Sequence, residues 1–169
     1  MFFIFSLAFH VCRAQYAEDL TKALFIVDIA EHTKFATPPI DAYTITVVGQ
    51  SNVYNELMSH MQRRQVNGVP FVFLRVDTID RLKPSQIIFF SSDKSDQIKK
   101  LVSQPQRGSF MIIGEQKGTY KTGADFSFVI EKDKLKVDIN SESLKTKNIV
   151  LSRALTAILH ENTSASNHK

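Results

Sequence analysis

The chain has 169 residues, of which 43% are hydrophobic and 22% are charged, so it is long enough to bury the core of one domain. Its 21 Lys and Arg residues exceed its 17 Asp and Glu residues by only four, and the basic residues are scattered. A nucleic-acid surface would need a concentrated basic stripe with aromatic side chains between, so a nucleic-acid partner is not expected.

The first segment, residues 1–12, is an apolar run with only two polar interruptions. About a dozen apolar residues are too few to span a bilayer, which takes about 20, but they match the core of a secretory signal peptide. Ala14 supplies the small side chain that signal peptidase accepts. We therefore expect a signal peptide over residues 1–14, cleaved after Ala14, with a buried N-terminal helix as the alternative. Cleavage removes Cys12, the single cysteine, and with it any disulfide or thiol chemistry.

After this segment, helical and extended patterns alternate. Apolar residues at helical spacing predict a helix over residues 19–33, buried on more than one side. Pro38 and Pro39 follow it. The next predicted elements, in chain order, are a strand (43–48), a helix that Asn52 can cap, a turn at Asn67 and Gly68, strands (71–76 and 87–90), a helix (95–102) that buries Ile98, Leu101 and Val102, and a strand (110–113).

The C-terminal third has a different pattern. Residues 126–130 and 135–139 alternate apolar and polar side chains around a short turn, which predicts a hairpin with one wetter face. A final helix follows, with Leu151, Leu155, Ile158 and Leu159 on one stripe, and residues 163–169 form a flexible tail. The expected fold is a single α/β domain over residues 15–162. Its central sheet is mainly parallel, carries an antiparallel C-terminal hairpin and is flanked by helices.

No arrangement of reactive side chains predicts catalysis. The histidines stand in no metal-ligand spacing, and Ser51 lacks the flanking glycines of a nucleophile elbow, so helix capping is its expected role. Two carboxylate pairs occur, Asp77 with Asp80 and Asp125 with Asp138, and we expect the second pair on the exposed rims of the hairpin. We therefore expect no enzyme activity, no cofactor and no metal site.

Aromatic side chains could contribute to a binding surface instead. The chain has 13 phenylalanines and no tryptophan. Phe35, Phe71 and Phe73 are the ones that a single sheet need not bury, and any left outside would favour partner binding. Core packing is the alternative, and the one we favour.

The order of these elements resembles the YfiR/HmsC-like family of exported bacterial regulators, from about Lys22 to Leu159. The motifs that carry the resemblance are ALFI (23–26), KFA (34–36), ITVVG (45–49), VNGVPFV (66–72), IIFF (87–90), FSFV (126–129), KLKVDIN (134–140) and IVLSRAL (149–155). The chain departs from the family at three places. It has no Trp-Pro after the first helix, it has Ser85 where many members have a cysteine, and it has Gly123-Ala124 in place of Gly-Gly. The redox-sensitive disulfide of some members is therefore not expected here.

The resemblance implies a non-catalytic periplasmic protein without a cofactor. Such a protein binds the sensor region of a membrane signalling enzyme, of the diguanylate cyclase or histidine kinase type, and restrains it. It also implies a possible homodimer. We place the partner-binding surface at Phe35, Pro38, Pro39, Asn140 and Ser152, although Asn140 could be only a turn residue and Ser152 only a helix cap.

A rival function comes from a different class of protein. The chain could be a periplasmic small-ligand carrier or sensor, with a pocket at the carboxyl ends of the parallel strands near Gly49 and Gly114.

Overall fold

A computed structural model of the chain describes residues 5–36, 41–105, 109–131 and 134–162. Within these residues the α-helices are α1 (Phe5–Glu31), α2 (Asn52–Met61), α3 (Gln97–Val102), α4 (Ser141–Thr146) and α5 (Arg153–Asn162). The strands are β1 (Thr33–Lys34), β2 (Tyr43–Val48), β3 (Gln65–Val66), β4 (Val69–Val76), β5 (Ile87–Phe90), β6 (Met111–Gly114), β7 (Phe126–Glu131), β8 (Lys134–Ile139) and β9 (Val150–Leu151).

Seven of these strands form one sheet in the order β3-β4-β2-β5-β6-β7-β8. The five central strands run parallel to one another. The edge strands β3 and β8 pair antiparallel with β4 and β7, while β1 and β9 form a separate antiparallel pair. The sheet confirms the predicted α/β fold, with a mainly parallel centre and an antiparallel C-terminal hairpin.

The central strands are apolar throughout because both faces of the sheet are covered. Consecutive side chains of a strand point to opposite faces. Val47 and Phe89 belong to a core cluster with residues of α1, α2 and α5. Their neighbours Val48 and Phe90 belong to a second cluster with residues of α3. The continuous apolar runs at residues 87–90 and 111–113 follow from this two-sided burial.

Helix α1 is longer than predicted, since it begins at Phe5 rather than near residue 19. No glycine or proline interrupts residues 5–31, so nothing in the backbone stops the helix earlier. It ends at Glu31 because Thr33 and Lys34 pair with β9 instead. Its burial on more than one side is confirmed by five fully buried side chains: Ala23, Ile26, Val27, Ile29 and Ala30.

Ser51 caps α2 as expected, since its Oγ accepts a hydrogen bond from the Val53 N–H at 3.3 Å, whereas Asn52 is the first residue of the helix rather than its cap.

Other local expectations are corrected by the structure. Val102 is 42% exposed rather than buried, because it is the last residue of α3. Leu151 belongs to β9 rather than to the final helix, which begins at Arg153, and Ile158 is 40% exposed. At the start of β7, neither face of the hairpin is exposed to solvent. Ser127 is buried there because its Oγ contacts Thr119 Oγ1, at 2.8 Å, in a short 3₁₀ turn that covers this face.

Candidate functional site

The carboxyl ends of the parallel strands are closed by side chains. Gly49 follows β2 with a φ of +97°, and a Cβ atom there would lie 2.0 Å from Ser91 Oγ. At the end of β6, a Cβ atom on Gly114 would lie 2.0 Å from Thr119 Oγ1. Open α/β sheets commonly bind ligands at this edge. Protein atoms occupy the space beside both glycines, so the geometry gives no support to a ligand pocket near Gly49 and Gly114.

A buried ion cluster lies at the same edge. Lys22 is 5% exposed, and its Nζ lies 2.6 Å from Glu18 Oε1 and 3.2 Å from Glu115 Oε1. Glu115 also accepts hydrogen bonds from Ser51 Oγ at 3.2 Å and from the Ser92 N–H at 3.0 Å. The cluster therefore connects α1 to the end of β6, to the start of α2 and to the turn after β5. The spacing of Glu18 and Lys22 is visible in the sequence, but Glu115 is 93 residues away from Lys22.

The electrostatics of this cluster keep Lys22 charged. Burial alone would lower the pKa of the Lys22 ammonium, but its hydrogen bond with Glu18 and the charges of Glu115 and Glu18 outweigh burial and raise that pKa. A charged amine is neither a general base nor a nucleophile at neutral pH. The geometry therefore gives Lys22 the role of holding α1 in place.

Phe35 and Ser152 both lie at the opposite edge of the sheet, at the amino ends of the parallel strands. The β1–β9 pair aligns Thr33 with Leu151 and Lys34 with Val150, so Phe35 lies just beyond one end of this pair and Ser152 just beyond the other. The Ser152 N–H donates a hydrogen bond to the His32 carbonyl at 2.8 Å. The centroid of the Phe35 ring lies 6.1 Å from that of Tyr43, the first residue of β2, and the two rings pack edge to face.

Asn140 lies at this same edge. Its N–H donates to the Asp125 carbonyl, directly before β7, at 2.8 Å. Asn140 also lines an open cleft of about 680 Å³ that is lined in addition by Ala36, the neighbour of Phe35. The structure therefore places three of the predicted binding residues at the amino ends of the strands. Pro38 and Pro39 lie outside the described residues.

Two of the predicted binding residues also cap helices. Asn140 Oδ1 accepts a hydrogen bond from the Ser143 N–H at 3.0 Å, and Ser152 Oγ accepts one from the Leu155 N–H at 3.1 Å. An N-cap of this type stabilises a protein by about 1 kcal/mol. The capping alternative is thus confirmed for Ser152, and Asn140 is a helix cap as well as a turn residue. Substitution of either residue would disturb the fold as well as any binding.

Val150 is the exposed apolar residue at this edge that sequence analysis did not single out. Its side chain is 61% exposed, whereas Ile149 beside it is 5% exposed. Residues 149–151 are apolar at every position, so no sequence signal distinguishes exposed Val150 from its buried neighbour. We call Phe35, Asn140, Val150 and Ser152 the amino-edge surface.

The phenylalanines considered for binding are core residues in two cases of three. Phe71 and Phe73 are 4% and 7% exposed, and their rings stack at 5.6 Å. Both belong to the core cluster beneath α1 and α2. Phe35 is half-buried and packs against the same cluster. The core interpretation is therefore confirmed for Phe71 and Phe73.

The prediction that Asp125 and Asp138 lie on exposed rims is wrong. Asp125 is 0% exposed and Asp138 is 1% exposed. Asp125 accepts three hydrogen bonds, each of 2.6 Å, from the Ile112 N–H, Ser143 Oγ and Lys147 Nζ. Helix α4, which the sequence pattern did not predict, follows the hairpin and covers this carboxylate. The buried Asp125 carboxylate therefore links β6, the start of β7 and α4 through hydrogen bonds.

One group of potential metal ligands occurs in the described part of the chain. The ligand atoms of Asp28, Glu31 and His32 lie within 4.8 Å of one another. His32 Nδ1 is 2.9 Å from the Asp28 carbonyl oxygen, and Glu31 Oε1 is 2.9 Å from Arg64 Nη2. These contacts at the end of α1 account for the arrangement without an ion.

Comparison with known proteins adds a family to this geometry. Residues 20–158 match the family described as YfiR/HmsC-like. The chain belongs to this family. Its match begins inside α1 and ends inside α5, so it includes the whole sheet and every residue of the amino-edge surface. No curated protein matches the chain.

YfiR/HmsC-like proteins are periplasmic, and they regulate signalling rather than catalyse a reaction. None of the helices in the described ranges has both the length and the apolar character needed to cross a membrane.

Proposed function

We propose that this YfiR/HmsC-like protein is exported and binds the periplasmic sensor region of a membrane signalling enzyme, of the diguanylate cyclase or histidine kinase type. Binding restrains that enzyme. The family match over residues 20–158 is the observation that carries the proposal. The paired contacts of Lys22 and Asp125 support it, because they give two of the buried charged residues structural roles.

We place the contact with the enzyme at the amino-edge surface. Val150 offers exposed apolar area. Phe35, which is half-buried, directly follows Lys34, the residue that pairs with Val150. A soluble domain restrains a receptor when it binds the inactive state more tightly than the active one. A difference of about 1.4 kcal/mol between the two affinities changes the ratio of the states tenfold. Pairing of two copies stays a prediction, which analytical ultracentrifugation of the purified protein would test.

The first test replaces Val150 by aspartate. We expect binding to the sensor region to weaken about tenfold, since a charge then occupies the centre of the contact, and we expect the output of the enzyme to rise. Val150 is 61% exposed, so the melting temperature should change little. Cross-linking in intact cells from a photoreactive residue at position 150, followed by mass spectrometry, identifies the enzyme.

The matched control is Ile130→Asp. Ile130 is 42% exposed and lies near the end of β7, at the opposite edge of the sheet. It should retain both binding and restraint. Equal cross-linking of the enzyme from positions 130 and 150, or unchanged restraint by Val150→Asp, would place the contact elsewhere. Phe35→Ala is a poorer probe than Val150→Asp, because the Phe35 ring also packs against Tyr43 and the core.

Export is tested separately. We propose cleavage after Ala14, so mass spectrometry of the periplasmic fraction should find a mature protein that begins at Gln15. Cleavage at that point would shorten α1 but retain Lys22 and its cluster. An Ala14→Leu variant should accumulate uncleaved, because signal peptidase requires a small residue there. Recovery of the protein with Met1 from the cytoplasm would contradict the proposal.

A further inference from the structure

A second cavity lies at the amino ends of β2 and β4, beside the β1–β9 pair. Its volume is about 370 Å³, within the range of small-molecule sites. Phe35, Tyr43, Val66 and Val69 supply its apolar walls. It lies at the edge of the sheet opposite Gly49 and Gly114.

Two buried hydroxyl groups belong to residues that line this cavity. Tyr43 is 2% exposed and Thr33 is 7% exposed, and both line it. Within the part of the chain that the structure describes, neither Tyr43 Oη nor Thr33 Oγ1 has a hydrogen-bond partner. A buried hydroxyl without a partner loses its hydrogen bonds to water and gains nothing in return.

Other buried hydroxyls of this domain are paired. Thr46 Oγ1 lies 2.7 Å from Ser85 Oγ, and Ser91 Oγ donates to the Val48 carbonyl at 2.8 Å. The unpartnered hydroxyls therefore coincide with the cavity rather than with the fold in general. Buried polar groups without a partner are explained by local strain, by a functional role or by a bound water or ion, and a ligand in the adjoining cavity is an explanation of the functional kind.

The chemistry of the lining defines what would bind. Burial raises the pKa of the Tyr43 phenol, so this group stays protonated and can donate a hydrogen bond. Thr33 Oγ1 can donate as well. Lys34 is exposed and also lines the cavity, where it supplies a positive charge. Two hydroxyl donors and one cation match a carboxylate group, and the aromatic and valine side chains match an apolar part of the same ligand.

We propose that this cavity binds a small monocarboxylic acid with an apolar body. The hydroxyls of Tyr43 and Thr33 donate hydrogen bonds to the ligand's carboxylate, and Lys34 neutralises its charge. Phe35, Val66 and Val69 contact the apolar part. The inference concerns ligand binding alone and holds whether or not the protein restrains a signalling enzyme.

The test uses benzoate, phenylacetate and isovalerate as probes, each beside its neutral amide, in calorimetric titrations of the purified mature protein. At least one acid should bind about tenfold more tightly than its amide and raise the melting temperature. Tyr43→Phe and Thr33→Val should each weaken that binding by about fivefold or more. Tyr54→Phe, which removes a phenol hydroxyl outside the residues that line the cavity, should bind like the wild type.

Stability of the unliganded variants gives a second readout. Tyr43→Phe and Thr33→Val keep the shape of the side chain and remove only an unpartnered hydroxyl, so both should melt at or above the wild-type temperature. A lower melting temperature would show that the hydroxyls have partners within the protein and would overturn the proposal. So would the absence of binding by all three acids, or binding that neither variant weakens.

Discussion

Replacement of Asp125 by alanine is expected to lower the free energy of unfolding by about 4 kcal/mol, the largest effect that we predict for a single substitution. The carboxylate is fully buried and accepts hydrogen bonds from Ile112, Ser143 and Lys147. Its loss leaves a buried N–H and a buried hydroxyl without an acceptor, and an ammonium group without its counter-charge. Urea denaturation followed by circular dichroism measures the change.

The control for this substitution is Asp80→Ala. Asp80 is paired with Lys100 at 3.6 Å, and both side chains are more than half exposed. An exposed ion pair of this kind contributes less than about 1 kcal/mol. If Asp125→Ala destabilised the protein no more than Asp80→Ala does, the hydrogen bonds assigned to Asp125 would be wrong. Similar losses in Asp125→Ala and Lys147→Met would show that the ion pair carries most of the effect.

Replacement of Lys22 by methionine is expected to lower the free energy of unfolding by about 3 kcal/mol. Methionine keeps the length and apolar stem of the side chain, so the loss reports the charge. Without the Lys22 ammonium, Glu115 and Glu18 remain partly buried and have lost the cation that pairs with both of them. Lys100→Met removes the cation of the exposed pair and is the matched control, with an expected change below about 1 kcal/mol.

The pH dependence separates the charge of Lys22 from its packing. The pKa of Lys22 is raised in the folded protein, so its contribution to stability is fully present below the ordinary lysine pKa of 10.5 and is lost as the pH rises further. The difference in stability between wild type and Lys22→Met should therefore be constant near neutral pH and shrink above that value. A difference that persists unchanged at higher pH would show that methionine fails by packing rather than by charge.

The strands and helices of the core could be predicted from sequence because burial on a regular element repeats with the period of that element. The run at residues 87–90 is apolar at every position, and the structure has β5 over the same residues. The short elements could not be predicted in this way. Strands β1 and β9 have two residues each and are strands only because they pair with one another.

Errors arose where a neighbouring element decides the exposure of a residue. Asp138 alternates with apolar residues along β8, which predicts exposure, yet it is 1% exposed. Asp125 is covered because α4 packs over the start of the hairpin and supplies Ser143 to its carboxylate. A pattern along one strand describes two faces but does not say whether anything covers the second one.

The amino-acid sequence by itself determined the fold class, the order of the main elements and the family. These depend on local periodicity and on motifs that stand in a fixed order. Only the tertiary structure decided that Phe35, Asn140 and Ser152 lie at one edge of the sheet, and that Lys22 meets Glu115 at the other. It also decided that Thr33 and Tyr43, whose hydroxyls have no partner among the described residues, line the same cavity. Contacts between residues far apart in the chain depend on how helices pack on the sheet, and no local pattern records that packing.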